Sequence, residues 1–176
     1  MKRNVILIGM PASGKSTLGE LLAKHLGMTF LDTDDLIRQR EGRSLQDILD
    51  QDGMEGFLQQ EEDAVLSLRT ENAVVATGGS VVYSSRAMEH LKARGICVYL
   101  QLPLAAIQAR LLDLDSRGVA IAQDQSLTEL YRERVPLYET WADYTFPVPA
   151  EPASPRHHAA QLAENVTQWL TGHPAG

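Results

Sequence analysis

The chain has 176 residues, 44% hydrophobic and 6% aromatic, with 16 Lys+Arg against 23 Asp+Glu and a net charge of −7. That length gives about one domain with room for a sizeable core, and the acidic balance speaks against an extended nucleic-acid surface. No apolar run approaches the ~18 residues of a membrane span, and the first strand starts too early to leave room for a signal peptide. The lone Cys97 excludes an internal disulfide and fits a reducing, cytoplasmic setting.

The first predicted element is a buried strand over 4–8, the run Val5-Ile6-Leu7-Ile8. Gly9-Met10-Pro11-Ala12-Ser13-Gly14-Lys15-Ser16-Thr17 follows, and then Leu18, Leu21, Leu22 and Leu26 at helical spacing. G-x-x-x-x-G-K-[ST] between a strand and a helix is a phosphate-cradling P-loop. Its glycines let the backbone wrap a polyphosphate, and the helix aims unpaired N–H groups at the anion. Lys15 supplies a cation for the β- and γ-phosphates and Ser16 a hydroxyl for Mg²⁺. The chain is therefore expected to bind a nucleoside triphosphate.

A second strand over 29–32 runs into Asp32-Thr33-Asp34-Asp35. Carboxylates at the carboxyl end of a parallel strand lie at the edge where such sheets bind ligands. One would hold Mg²⁺, the other orient or deprotonate an acceptor hydroxyl. Asp32 and Asp34 are read as filling two adjacent roles and not one shared role. Asp35 reads as the cap of a helix starting at Leu36.

Ser44 with Asp47 opens a further helix as a capping motif, and a longer one starts at Gly53 and runs to about Leu68, its acidic residues reading as a solvated face. A third strand over 73–76 ends in Gly78-Gly79-Ser80, whose glycines permit close backbone approach to a substrate. A fourth strand over 96–102 holds Cys97, read as buried and not nucleophilic, and a short helix over 105–112 follows with Arg110. Arg117 then sits in a polar, glycine-containing stretch suited to folding over phosphates. A helix over 127–141 carries Arg132 and Arg134 and is interrupted by Pro136. The fifth strand covers 144–148, four prolines make 147–155 a loop, and a last helix covers 156–170. Strands alternating with helices throughout predict α/β architecture with a parallel sheet, in a single domain over 1–176.

Together these pieces resemble the shikimate kinase family of P-loop small-molecule kinases, over nearly the whole chain. The anchors are Gly9 to Thr17, Phe30-Leu31-Asp32-Thr33-Asp34, Gly42-Arg43-Ser44, the stretch 53–61, Gly78-Gly79, Arg117 and Arg134-Val135-Pro136-Leu137-Tyr138. The resemblance implies a P-loop three-layer sandwich with a five-stranded parallel sheet in the order 2-3-1-4-5. It also implies substrate-binding helices at about 33–61 and a lid at about 112–124. It implies ATP and Mg²⁺ as cofactors, a small hydroxy acid (shikimate by default) as acceptor, and a monomer. Carried over residue by residue, Gly9, Ala12, Ser13, Gly14, Lys15, Ser16 and Thr17 cradle the phosphates with Arg117. Ser16 and Asp32 hold Mg²⁺, Asp32 directly or through water. Asp34 activates the acceptor hydroxyl, Gly78 and Gly79 touch the substrate through backbone, Arg134 pairs with its carboxylate, and Arg110 and Pro155 flank the adenine.

Three positions depart from the family pattern. Leu58 stands where family members carry a second carboxylate-gripping arginine, Ser80 replaces a third glycine, and Gly118 replaces a lid proline. Losing a charge-assisted contact to a carboxylate weakens binding roughly 10–150-fold. It also leaves Glu61, that arginine's usual neighbour, without its partner. A freed carboxylate in the pocket would suit an acceptor with an ammonium, homoserine first. The readings are thus shikimate phosphorylation, the same chemistry on another acceptor such as homoserine or gluconate, or a nucleotide-binding module without turnover.

Overall fold

The computed structural model describes residues 4–113, 126–149 and 154–172. In chain order the elements are β1 (Asn4–Ile8), α1 (Lys15–Leu26), β2 (Thr29–Asp32), α2 (Thr33–Glu41), α3 (Leu45–Leu66), β3 (Ala73–Ala76), a 3-10 turn (Val81–Tyr83), α4 (Ser85–Lys92), β4 (Gly95–Gln101), α5 (Leu104–Asp113), α6 (Leu127–Trp141), β5 (Tyr144–Pro147) and α7 (Pro155–Gly172). The five strands form one parallel sheet in the order β2-β3-β1-β4-β5, as the resemblance implies.

Every residue of β1 and β3 is buried, which is why these strands read as unbroken apolar runs and not as alternating ones. Helices cover both faces, and α7 packs along α1 through Ala159, Leu162 and Val166. Cys97 lies at 0% exposure in β4, and burial pushes its thiol up to about 12, so it is no nucleophile. Among the described residues no helix is long and apolar enough to cross a membrane.

Four local expectations are corrected. Strand β2 does not persist past Asp32, and α2 starts at once, with Asp32 itself as N-cap accepting from the Asp34 amide at 2.9 Å. Asp35 is therefore not the cap; it lies in the first turn, exposed and paired with Arg38. Ser44 does cap α3, in a reciprocal box with Asp47, and the helix breaks at Gly53 (φ 71°, ψ −175°) before continuing to Leu66. Pro136 does not interrupt α6, which runs on to Trp141. The proline-rich loop is shorter than expected, since Pro147 ends β5 and Pro155 occupies the first turn of α7, where a missing N–H costs nothing.

Candidate active site

The carboxyl ends of β1, β2 and β3 open into one cleft of about 1000 Å³. Its donor end is the loop between β1 and α1. Gly14 is in the left-handed region (φ 93°) as N-cap of α1, and Ala12 also has positive φ (62°). A non-glycine residue there is locally strained, and such strain collects at ligand-binding loops. Lys15 is 8% exposed, and its Nζ donates to the carbonyls of Gly9 and Met10 at 2.8 Å each and to Ser13 Oγ at 3.3 Å. Burial pulls its pKa down to about 8, opposed by the charge of Asp34. Gly9 and Ser13 thus lie beneath the loop as supports for Lys15, while Ala12, Gly14, Lys15, Ser16 and Thr17 face the cleft. Arg110 reaches across from α5 and donates to the Ala12 carbonyl at 3.1 Å.

The early end of β2 gives Asp32 two tasks. Oδ1 caps α2, and Oδ2 accepts from Ser16 Oγ at 2.5 Å. A hydroxyl and a carboxylate oxygen side by side are hard donors of the kind Mg²⁺ takes. Asp34 projects from the first turn of α2 into the cleft, and burial, then the charge of Asp32, raises its pKa above the ordinary carboxylate range.

The acceptor end is built by β3, α3 and α6. Leu130, Arg134 and Tyr138 are the buried residues of α6, so Arg134 lies on the apolar stripe at helical spacing, 2% exposed. Its guanidinium stacks 5.3 Å from the Tyr83 ring centre, and Nε donates to Tyr83 Oη at 3.3 Å. Tyr83 in turn donates to Glu133 at 2.6 Å, and Tyr138 donates to the Gly79 carbonyl at 2.6 Å. The Gly78 amide donates to Thr33 Oγ1 at 3.2 Å, tying the β3 end to α2.

Glu61 is not on a solvated face. It is 2% exposed, Oε1 accepts from Ser80 Oγ at 2.7 Å, and Oε2 is buried without a hydrogen-bond partner. Burial pushes its pKa up to about 7, against the Ser80 hydrogen bond and with help from Asp34. A Cβ on Gly78 would overlap Glu61 Oε2 and sit 3.2 Å from Asp34 Oδ1, so this glycine is required by space. Gly78→Ala is expected to cost about 1–3 kcal/mol of stability, visible as a lower Tm; an unchanged Tm would show that Glu61 yields freely.

Besides Gly9 and Ser13, two expected residues lie apart from the cleft lining. Leu58 faces a neighbouring pocket of about 210 Å³ that shares Glu61 and Ser80 with the main cleft. Pro155 is exposed at the start of α7 and does not line the cleft. Of the expected lid at 112–124, the first two positions are the last two of α5, and the rest, with Arg117 and Gly118, lies outside the described residues. The sequence reading missed Arg38, Phe57 and Leu45, which also line the cleft, and Tyr83 beneath Arg134. Phe57, Glu61, Ala64 and Val65 are the buried residues of α3 beyond its break, and that spacing was visible in the sequence.

A P-loop that shares its cleft with a buried arginine and an acidic helix start, on a sheet of this order, is the architecture of a P-loop small-molecule kinase, an ATP-dependent phosphotransferase. The comparisons narrow the class. A family model described as shikimate kinase matches residues 11–171. A shikimate kinase of Vibrio vulnificus is 41% identical over 148 residues, covering 82% of this chain and 86% of its own. One of Pseudoalteromonas atlantica is 40% identical over 171 residues, covering 95% and 98%. The solved structure of shikimate kinase from Acinetobacter baumannii in complex with shikimate superimposes with a TM-score of 0.85 at 30% identity, covering 100% of this chain and 97% of the other. The chain belongs to the shikimate kinase family.

Proposed function

We propose that this protein transfers the γ-phosphate of ATP to the 3-hydroxyl of shikimate. The observation that carries the reading is the shared cleft: Lys15 and Ser16 at one end, Asp34 in the middle, Gly78, Gly79 and Arg134 at the other. ATP lies on the loop with its phosphates against the N-terminus of α1 and Lys15, and Arg110 beside the base. Arg134 pairs with the acceptor's carboxylate and sets the ring so that one hydroxyl meets Asp34. Asp34 accepts the proton of that hydroxyl as the O–P bond forms, and the raised proton affinity of its buried carboxylate suits it to the task. Lys15 stays with the transferring phosphoryl group and offsets its charge.

Ser16 and Asp32 would hold Mg²⁺, which when bound neutralises phosphate charge and orients the triphosphate. Ser16→Ala removes one oxygen donor while leaving the Asp32 cap in place. It is expected to raise the Mg²⁺ concentration for half-maximal activity by about 10-fold, measured as a Mg²⁺ titration at saturating ATP.

A screen of shikimate, homoserine, serine, threonine and gluconate for acceptor-dependent ADP release tests the reading. Shikimate is expected to give the highest kcat/KM. A preference for homoserine would move the assignment to an amino-acid acceptor gripped by Glu61, and ATP binding without acceptor-dependent turnover would make the chain a binding module.

A further inference from the structure

Glu61 is the buried ionisable group that the phosphotransfer chemistry leaves unused. The carboxyl group is buried beside Ser80 and Gly78, with one oxygen on Ser80 and the other without a hydrogen-bond partner. A carboxylate oxygen shut off from water and unpaired is costly while charged and much less so when neutral. The groups that face it are Asp34 from α2, Lys15 from α1 and Arg134 from α6. Asp34 disfavours its charge. Lys15 is hydrogen-bonded to the loop carbonyls, and Arg134 is stacked on Tyr83. On its own helix, Leu58 offers no cation.

We infer that Glu61 sets the charge of the acceptor end by holding a proton when an anionic acceptor is bound, so that acceptor binding is coupled to proton uptake. The inference rests on the proposed reading of this cleft as the site of a carboxylate-bearing acceptor. A carboxylate entering a cleft that Glu61 lines raises the proton affinity of Glu61 further, by the like-charge effect. Glu61 is a positioning residue in this scheme, acting through the field at the site and not on the reacting atoms. Since the unliganded group titrates at about 7, the effect has a definite sign. Below that pH the proton is already present and binding is pH-independent. Above it each pH unit weakens acceptor binding by up to about 10-fold, because a proton must be collected.

The wild-type protein tests this directly. Calorimetric titration with shikimate at pH 8, in two buffers of different ionisation enthalpy, is expected to show net uptake of roughly half a proton or more. Glu61→Gln is expected to lose that uptake and to flatten the rise of the shikimate KM between pH 7 and 8.5, while changes due to Lys15 and Asp34 persist in both proteins. No uptake by the wild type, or the same uptake and KM slope in Glu61→Gln, overturns the inference. A wild type that binds and phosphorylates shikimate without uptake overturns it alone. A wild type that does not phosphorylate shikimate overturns the proposed function and this inference with it.

Discussion

Asp34→Asn is expected to lower kcat for shikimate phosphorylation by roughly 10²–10⁴-fold, with little change in the KM for ATP. Asparagine keeps the size and shape of the side chain and leaves the backbone bond to Asp32 in place, so the loss isolates proton acceptance. The pH profile gives an independent reading. Because burial and Asp32 raise the pKa of Asp34, the acidic limb of kcat is expected above the ordinary carboxylate range, with activity falling as pH drops through that limb. In Asp34→Asn that limb is expected to vanish. A mutant with wild-type kcat, or one that keeps the limb, would remove Asp34 from the proton-accepting role and leave positioning and phosphate electrostatics as the source of the rate.

Arg134→Ala is expected to raise the KM for shikimate by roughly 10–150-fold, the value of one charge-assisted contact to a carboxylate. The effect belongs at the upper end of that range because Leu58 supplies no second cation. Arg134 is also a large, buried side chain packed against Tyr83, so truncation leaves a cavity and an altered α6 surface. Arg134→Lys separates the two effects. It keeps the charge and much of the volume but loses the planar fork, and is expected to restore stability more fully than acceptor affinity. Equal KM values for wild type and Arg134→Ala would place the acceptor's carboxylate elsewhere.

The sheet was legible because its strands are written as apolar runs that end in chemistry. β1 runs into the P-loop, β2 into Asp32 and β3 into Gly78 and Gly79, and the order β2-β3-β1-β4-β5 brings those three ends side by side. Arg134 took its role from the resemblance alone, since a charged residue beside Pro136 fits a surface as well as an inward position; the structure puts it with Tyr138 on the buried stripe of α6. Asp32 was only half legible. Its type and position point to a ligand role, but the sequence offers Asp35 as the helix cap, and one side chain doing both is a matter of three-dimensional geometry. The acidic surroundings of Glu61 (Glu55, Glu62 and Asp63) read as a solvated face, and only the resemblance put Glu61 in the pocket. The break at Gly53 resets the helical phase and turns Phe57, Glu61 and Ala64 inward together. Pro136 misled in the opposite direction. A proline inside a helix usually bends or ends it, yet this one sits on the exposed side of α6 and the helix continues past it.

The departures at Leu58 and Ser80 now have a common structural setting. Ser80 supplies Glu61 with a hydroxyl donor, and Leu58 lines the small pocket that both of them share. A Ser80–Glu61 hydrogen bond thus stands where the family pattern implies an ion pair, and under the proposed function the acceptor's carboxylate is left chiefly to Arg134.

Phosphorus-31 NMR of the protein with ATP, Mg²⁺ and shikimate tests the central claim most directly. The γ-phosphate resonance of ATP is expected to decline while one phosphomonoester, split by the proton on carbon 3 of shikimate, grows in step with ADP. An unchanged ATP spectrum, or release of inorganic phosphate with shikimate unmodified, would contradict it.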